Sequence, residues 1–272
     1  MKQRSHTSRA TLVMTIIGPA AALSALALAA VSGLGHRWGW WTFGAGFAVL
    51  KWGTYLAIAA LVLSVIGAVV NRPGRGQTGT DTRPRGIRQG FVWTLLGIVV
   101  SAGTIAVPVY WMYRAQHVPR IHDISTDTVD PPRFEAILPL RRDAPNPAEY
   151  GGMAIATQQQ AAYPDIRSLL IERPPGEVFD LALAKVRAHG WQVVDARRAQ
   201  GRIEATDTTF WFGFKDDVVI RIRAVAGGSR LDVRSVSRVG VSDVGTNASR
   251  IRCFLREIRE TSPELTRRTP NP

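Results

Sequence analysis

The chain has 272 residues and a net charge of +13, from 34 Lys and Arg against 21 Asp and Glu. Ten of those basic residues and a single acid, Asp81, precede residue 114, so +9 of the charge flanks the apolar N-terminal part and the remainder is nearly balanced. A basic sum distributed in this way speaks against a DNA- or RNA-binding surface, and nucleic acid is not expected as a partner.

Three apolar stretches come first, at about 11–34, 52–70 and 91–112. A bilayer span takes roughly 20 mostly apolar residues, so residues 1–113 read as a membrane anchor of three transmembrane helices. Basic loops are retained in the cytoplasm. Lys2, Arg4 and Arg9 precede the first stretch, and Arg72, Arg75, Arg83, Arg85 and Arg88 lie between the second and third, whereas the loop between the first two has Arg37 alone. The expected topology in a bacterial inner membrane is therefore multi-pass, with the N-terminus cytoplasmic and the C-terminal domain periplasmic. Trp38, Trp40, Trp41, Tyr110, Trp111 and Tyr113 fall at the outer ends of the spans, where an interfacial aromatic belt belongs. Lys51 would cost roughly 2.5–3.5 kcal/mol at the bilayer centre; beside a span that starts near Trp52 it snorkels to the outer interface. The run "ALALAA" from Ala25 resembles a signal-peptidase site, but the apolar stretch is long for a signal peptide and cleavage would leave the topology unchanged.

Residues 114–164 are rich in Pro, Asp and Arg without sustained periodicity and read as an extended stalk. His122, Asp123, Asp127 and Asp130 are cation-ligand types, yet their spacing matches neither a calcium loop nor a zinc pair, and no metal or cofactor is expected.

Residues 165–260 then have the pattern of an α+β domain. "IRSLLIE" (166–172) is strand-like, and "PPGEVFDLALAKVRAHG" (174–190) is a helix opened by prolines and closed by Gly190, with Phe179, Ala182, Leu183 and Val186 on one face. Strands are expected at 191–197, 202–214, 218–226 and 230–237, and a last helix over 246–260 with Ile251, Phe254, Leu255 and Ile258 as its apolar stripe. Residues 261–272 read as a disordered tail. Gly227-Gly228 predicts a two-residue hairpin turn of the primed type, which sets Ala226 opposite Ser229 and Arg221 opposite Arg234. Ile220, Ile222, Ala224, Leu231 and Val233 then share an apolar face. An antiparallel sheet covered by two helices follows, in the order β-α-β-β-β-β-α, which resembles helix-grip folds.

The most polar stretch, "RSVSRVGVSDVGTNASRI" (234–251), joins the last strand to the last helix. Two like charges opposite one another repel, so Arg221 and Arg234 invite a negative partner, either Asp232 and Glu204 or an anionic ligand. Two readings of the loop stand side by side. In one, Thr246 or Asn247 caps the helix and Asp243 complements its dipole, with Gly240 and Gly245 at positive φ. In the other, Ser237, Arg238, Ser242, Asp243, Asn247 and Arg250, with Arg221 and Arg234, hold an anion or a partner at the helix N-terminus. No catalytic residue is assigned. His117, His122 and His189 are remote in sequence from the serines of the loop, Asp216 and Asp217 sit at an expected hairpin tip, and Cys253 reads as a structural thiol beside the apolar stripe.

That run, with "IEATDTTFWFGFKDDVVIRI" (203–222) before it and "IHDISTDTVDPP" (121–132) further upstream, resembles the bacterial and plastid family known as domain of unknown function fourteen-ninety-nine, over about residues 119–260. The likeness implies the domain boundary and an envelope setting, and brings no activity with it. The function expected is an inner-membrane-anchored periplasmic module that binds an anionic lipid, an envelope component or a protein partner. The alternatives are a hydrolase acting on an amphiphile held against Phe210, Trp211 and Phe212, and a structural subunit of a membrane complex.

Overall fold

The structure, a computed structural model, describes residues 3–72, 89–261 and 266–268. Arg75, Arg83, Arg85 and Arg88 of the expected cytoplasmic loop lie outside the described residues, as does Lys2. The chain forms two compact units, Met1–Met112 with Trp211–Gly213, and Tyr113–Phe210 with Phe214–Pro272.

The first unit is built on α1 (Gln3–Arg37), α2 (Phe43–Val70) and α3 (Gln89–His117). Three segments are long and apolar enough to cross a membrane, Thr15–Arg37, Phe43–Val70 and Gly90–His117. Their exposure is the inverse of a water-soluble bundle. Val62, Val65, Val99 and Val109 face outward, while Ser32, Ser64, Thr94, Ser101 and Thr104 are buried between helices. Against lipid there is no gain in hiding large aliphatic groups, and small residues that let backbones approach become the packing surface. Gly46, Gly53, Ala57, Ala60, Ser64 and Gly67 form such a stripe on α2, facing Ala22, Ala25 and Ala29 of α1. A Cβ on Gly53 would sit 3.2 Å from Leu28 Cβ, and one on Gly97 of α3 would come within 3.1 Å of Pro19 Cα. Asn71 ties the end of α2 to α1, donating from Nδ2 to Thr15 Oγ1 at 2.9 Å. In the same unit Phe212 stacks on Phe47 with ring centroids 4.9 Å apart, and Trp211 Nε1 donates to the Ala30 carbonyl at 3.2 Å.

One detail differs from expectation. Helix α2 begins at Phe43, where Thr42 Oγ1 accepts from Ala45 N, so Lys51 lies two turns inside the helix rather than at its start. The 28-residue helix is about 42 Å long at ~1.5 Å per residue, well beyond a hydrocarbon core of about 30 Å. The Lys51 side chain is exposed, its ammonium 5.9 Å from the Tyr55 ring centroid.

The second unit is a fully antiparallel sheet of β1 (Asp123–Ser125), β2 (Leu169–Ile171), β3 (Gln192–Arg197), β4 (Arg202–Thr208), β5 (Lys215–Val225), β6 (Gly228–Ser237) and β7 (Thr266–Arg268). Its order is β3-β4-β5-β6-β2-β7, and β1 shares with β2 the same edge of β6. Helices α4 (Gly152–Ala162), α5 (Pro175–Ala188) and α6 (Thr246–Glu260) complete it. The expected β-α-β-β-β-β-α order runs from β2 to α6. Val178, Phe179, Ala182 and Val186 of α5 and Ile251, Phe254, Leu255 and Ile258 of α6 pack on Ile203, Ala205, Val218, Ile220, Ile222, Leu231 and Val233.

Three expectations are corrected. The hairpin pairs Val225 with Gly228 and Arg221 with Asp232, so the turn is Ala226-Gly227 and Arg221 does not face Arg234. Among the described residues Val244 is the one non-glycine at positive φ, so Ala226 has negative φ and the turn is not of the primed type. Gly228 has another purpose: a Cβ there would lie 2.2 Å from the Ile171 carbonyl oxygen, where β2 crosses close to the hairpin. Second, residues 114–164 are not an extended stalk. They supply β1 and α4, and Phe134 and Ile137 form a second apolar cluster with Val219 and Val236 on the sheet face away from α5 and α6. Both faces of the sheet are thus covered, which is why β6 is buried along almost its whole length. Third, Thr266–Arg268 of the expected disordered tail pairs with β2.

Candidate functional site

Strand residues alternate between faces, and this alternation divides the polar stretch after Gly228 into two sets. Leu231, Val233, Ser235 and Ser237 look toward α6, whereas Asp232, Arg234 and Val236 look toward the 123–148 segment; Arg238, just past the strand, follows the second set. The eight residues proposed from sequence therefore do not encircle one point.

On the helix side the centre is Arg250, held by the first turns of α6 over the ends of β4, β5 and β6. Its Nη2 donates to Asp207 Oδ2 at 2.7 Å and Asp216 Oδ2 at 2.6 Å, its Nε to Asp207 Oδ2 at 2.9 Å, and its Nη1 to Ser235 Oγ at 3.1 Å and to Asn247 Oδ1. Burial opposes the guanidinium charge, and the Asp216 and Asp207 carboxylates more than offset it, raising the Arg250 pKa. Asn247, fully buried, donates from Nδ2 to the His122 carbonyl at 2.9 Å and Ser237 Oγ at 3.0 Å, and accepts from Ser235 Oγ at 2.8 Å. Asn247 therefore fastens α6 to β1 and β6 rather than capping the helix.

On the other face Arg234 is 2% exposed and meets Asp123 through two parallel bonds, Nε to Oδ1 at 2.9 Å and Nη2 to Oδ2 at 2.7 Å. Its remaining donors reach the carbonyls of Pro132 at 3.2 Å and Ala148 at 2.8 Å, and its plane lies 5.2 and 5.4 Å from the Phe134 and Tyr150 ring centroids. Burial raises the Asp123 pKa despite this partner, and burial with the nearby Asp123 charge pushes Tyr150 up to about 12. Asp217, fully buried, accepts from Arg238 at 2.8 and 2.9 Å, Arg141 at 2.6 Å and Thr206 at 2.7 Å. Burial penalises its charge, but the bonds from Arg238, Thr206 and Arg141 outweigh that and hold its pKa below the usual carboxylate value. Arg221 lies at the rim of this face with Asp127, Asp130 and Asp232 at 3.0–3.3 Å.

The loop caps α6 through Asp243, whose Oδ1 accepts from Gly245 N at 2.9 Å and Oδ2 from Asn247 N at 2.6 Å. Gly245 at φ +78 is the N-cap residue and offers no side chain, while Gly240 has φ +94, both positive as expected. Burial raises the Asp243 pKa, with the two backbone N–H groups acting against it. Ser242 Oγ accepts from Val244 N at 3.1 Å and donates to the Pro119 carbonyl at 3.3 Å.

Asp216 and Asp217 fall inside β5, not at a hairpin tip, and point to opposite faces, so they are no carboxylate pair. The sequence reading missed Arg141 and Gln159. Gln159 of α4 is buried and pairs with the Ser125 backbone, accepting from N at 2.9 Å and donating to O at 2.6 Å, as a neighbouring strand would. Both lie in the segment without periodicity, where no repeat marks which polar residues turn inward.

The open part of this region is a cleft of about 340 Å³ lined by His189, Trp191, Asp207, Thr246, Ser249, Arg250 and Cys253. It brings Arg250, from the residues proposed, together with an aromatic edge and the hydroxyls of the first turn of α6. Such a mixture orients a small molecule with an apolar body and a polar end.

A comparison with curated proteins gave no match. The family described as "Protein of unknown function (DUF1499)" matches residues 123–258, the span from the first residue of β1 to the last buried residue of α6, and the chain belongs to that family.

Proposed function

We propose that the chain is a membrane-anchored binding module, its α+β domain periplasmic and its ligand a small amphiphilic component of the cell envelope with a polar or anionic head. The observation that carries this reading is the cleft between the end of α5 and the start of α6. The Trp191 edge suits an apolar portion, and Thr246, Ser249 and Arg250 surround an α6 N-terminus whose dipole favours negative charge. The arginines of the polar corner, Arg250 included, are engaged by internal carboxylates, so the head of the ligand meets chiefly Thr246, Ser249 and the rim of the Arg250 network. The periplasmic placement is supported by the basic residues between the second and third spans, and the exposed Trp38, Trp40, Tyr110 and Trp111 near the ends of α1 and α3 suit an interface at those ends.

Native mass spectrometry of the whole protein extracted in mild detergent tests this. The wild type is expected to carry a bound small molecule that is lost from Ser249→Trp, in which an exposed residue of the cleft wall is enlarged without touching the core. Wild-type protein with nothing bound, or equal retention by the folded variant, overturns the cleft as the site.

A further inference from the structure

His189, Cys253 and Glu257 converge at one end of the cleft, with one imidazole nitrogen, the Cys Sγ and one Glu carboxylate oxygen all within 4.8 Å of one another. Two different elements supply them. Cys253 and Glu257 are four residues apart on α6 and so share a face, and His189 is the residue at the C-terminal end of α5. The close approaches are Nε2 to Glu257 Oε2 at 3.3 Å and Sγ to Glu257 Oε1 at 3.5 Å. Donor atoms bound tetrahedrally at about 2.0–2.3 Å from one ion lie roughly 3.3–3.8 Å from each other; each approach is of that length but to a different oxygen of Glu257, so the three donors draw together from within 4.8 Å on binding.

A second observation concerns His189 itself. Its Nε2 is buried and makes no hydrogen bond, since the approach to Glu257 is near in distance but wrong in direction. The ring is fixed by stacking on Trp191, centroids 5.1 Å apart and planes at 18°, and Trp191 in turn stacks on Phe254. A rigid imidazole whose buried nitrogen is left unpaired beside a thiol and a carboxylate is poorly explained as packing.

We propose that His189, Cys253 and Glu257 bind one transition-metal ion of the zinc class, a site distinct from the arginine networks of the domain. Mixed nitrogen, sulfur and oxygen donors suit zinc and exclude calcium and magnesium, which take oxygen ligands. His189 and Cys253 also line the cleft, so the fourth coordination position opens toward it, as in metal sites that take water or an exogenous ligand. Binding converts the Cys253 thiol to a thiolate and releases its proton to solvent. Two cations now compete with the ion, Lys185 Nζ at 3.8 Å from Glu257 Oε2 and Arg256 Nη2 at 3.4 Å from Cys253 Sγ. Both belong to long side chains and can swing away; Arg256 is exposed. This inference stands on the three side chains and does not depend on what the cleft binds.

Cobalt(II) titration of the whole, tag-free protein in detergent, stripped beforehand with chelator, is the test. One cobalt per chain is expected, with a thiolate-to-cobalt charge-transfer band and displacement by zinc. Cys253→Ser is expected to abolish the band. His189→Gln is expected to weaken zinc binding by more than the roughly 10–100-fold seen when outer-shell groups are lost, and Lys185→Ala to tighten it. A folded wild type that binds no cobalt overturns the proposal whatever the variants do. So does stoichiometric binding that survives in both Cys253→Ser and His189→Gln.

Discussion

Arg234 shows how the neighbour across a strand decides what a charge is for. Opposite another arginine it would lack a partner and await an anion, whereas with Asp123 in a bidentate pair, two carbonyls and two rings around it, the side chain is complete. Removing one member of a buried pair leaves the other charge stranded and typically costs about 3–5 kcal/mol. Arg234→Ala is accordingly expected to lower the thermal stability of the domain by an amount of that order, and the paired replacement Arg234→Met with Asp123→Leu to recover much of it, as read in melts of the same preparation. Asp217 has the opposite pKa direction to Asp123 and gives a pH test. Its folded pKa lies below its unfolded value, so the unfolded state binds the extra proton, and the stabilisation is present above the usual aspartate pKa and lost as pH falls through the depressed one. Asp217→Asn is expected to flatten the acid limb of the stability profile while lowering stability at neutral pH. At the loop, Asp243→Ala is expected to cost about 0.5–2 kcal/mol as a lost cap, and Thr246→Ala to cost less, because Thr246 does not cap.

At the scale of elements, the parts that were readable in sequence are those with a period or a long apolar run. The faces of α5 and α6 and the apolar face of the β5–β6 hairpin repeat at helical or strand spacing, and the three apolar helices show by the length of their runs, α2 starting earlier than expected, at Phe43. The 114–164 segment was opaque because its work is done by single residues. Glu204 accepts from the backbone of Glu135 and Ile137 at 2.8 and 2.9 Å, Arg141 reaches Asp217, and Gln159 imitates a strand. The hairpin register was misread because two adjacent glycines have separate duties, Gly227 at φ +80 in the turn and Gly228 beneath the Ile171 carbonyl. Of the candidate site, Arg250 could be picked out as a cationic residue on the first turn of α6, but the thiol and imidazole beside it are far apart in sequence and meet only through the packing of two helices. In the membrane unit the packing argument makes a paired prediction. Gly97→Val forces a Cβ toward Ser64 and Pro19 and is expected to lower the melting temperature in detergent, whereas Gly103→Val, with nothing within 4 Å of its added Cβ, is expected to be silent.

For the whole molecule, the arrangement of charge along the sequence makes the topology testable. A reporter active only outside the cytoplasm is expected to work when fused after Arg120 and to fail when inserted within residues 72–88; the reverse pattern would place the α+β domain in the cytoplasm. The pairing of β1 with β6 has a further consequence, in the order of synthesis. Asp123 emerges soon after the last membrane helix, yet its partner Val236 is made more than a hundred residues later. Contacts so distant along the chain are slow to form because the intervening loop must close first. Asp123 awaits Arg234 and Asp127 awaits Arg230, both on β6, so this part of the nascent domain remains open until nearly its whole length has been translated. During that interval its unsatisfied carboxylates and bare strand edges are open to whatever the compartment provides, and a chaperone acting on this protein would meet it there, before the arginines arrive.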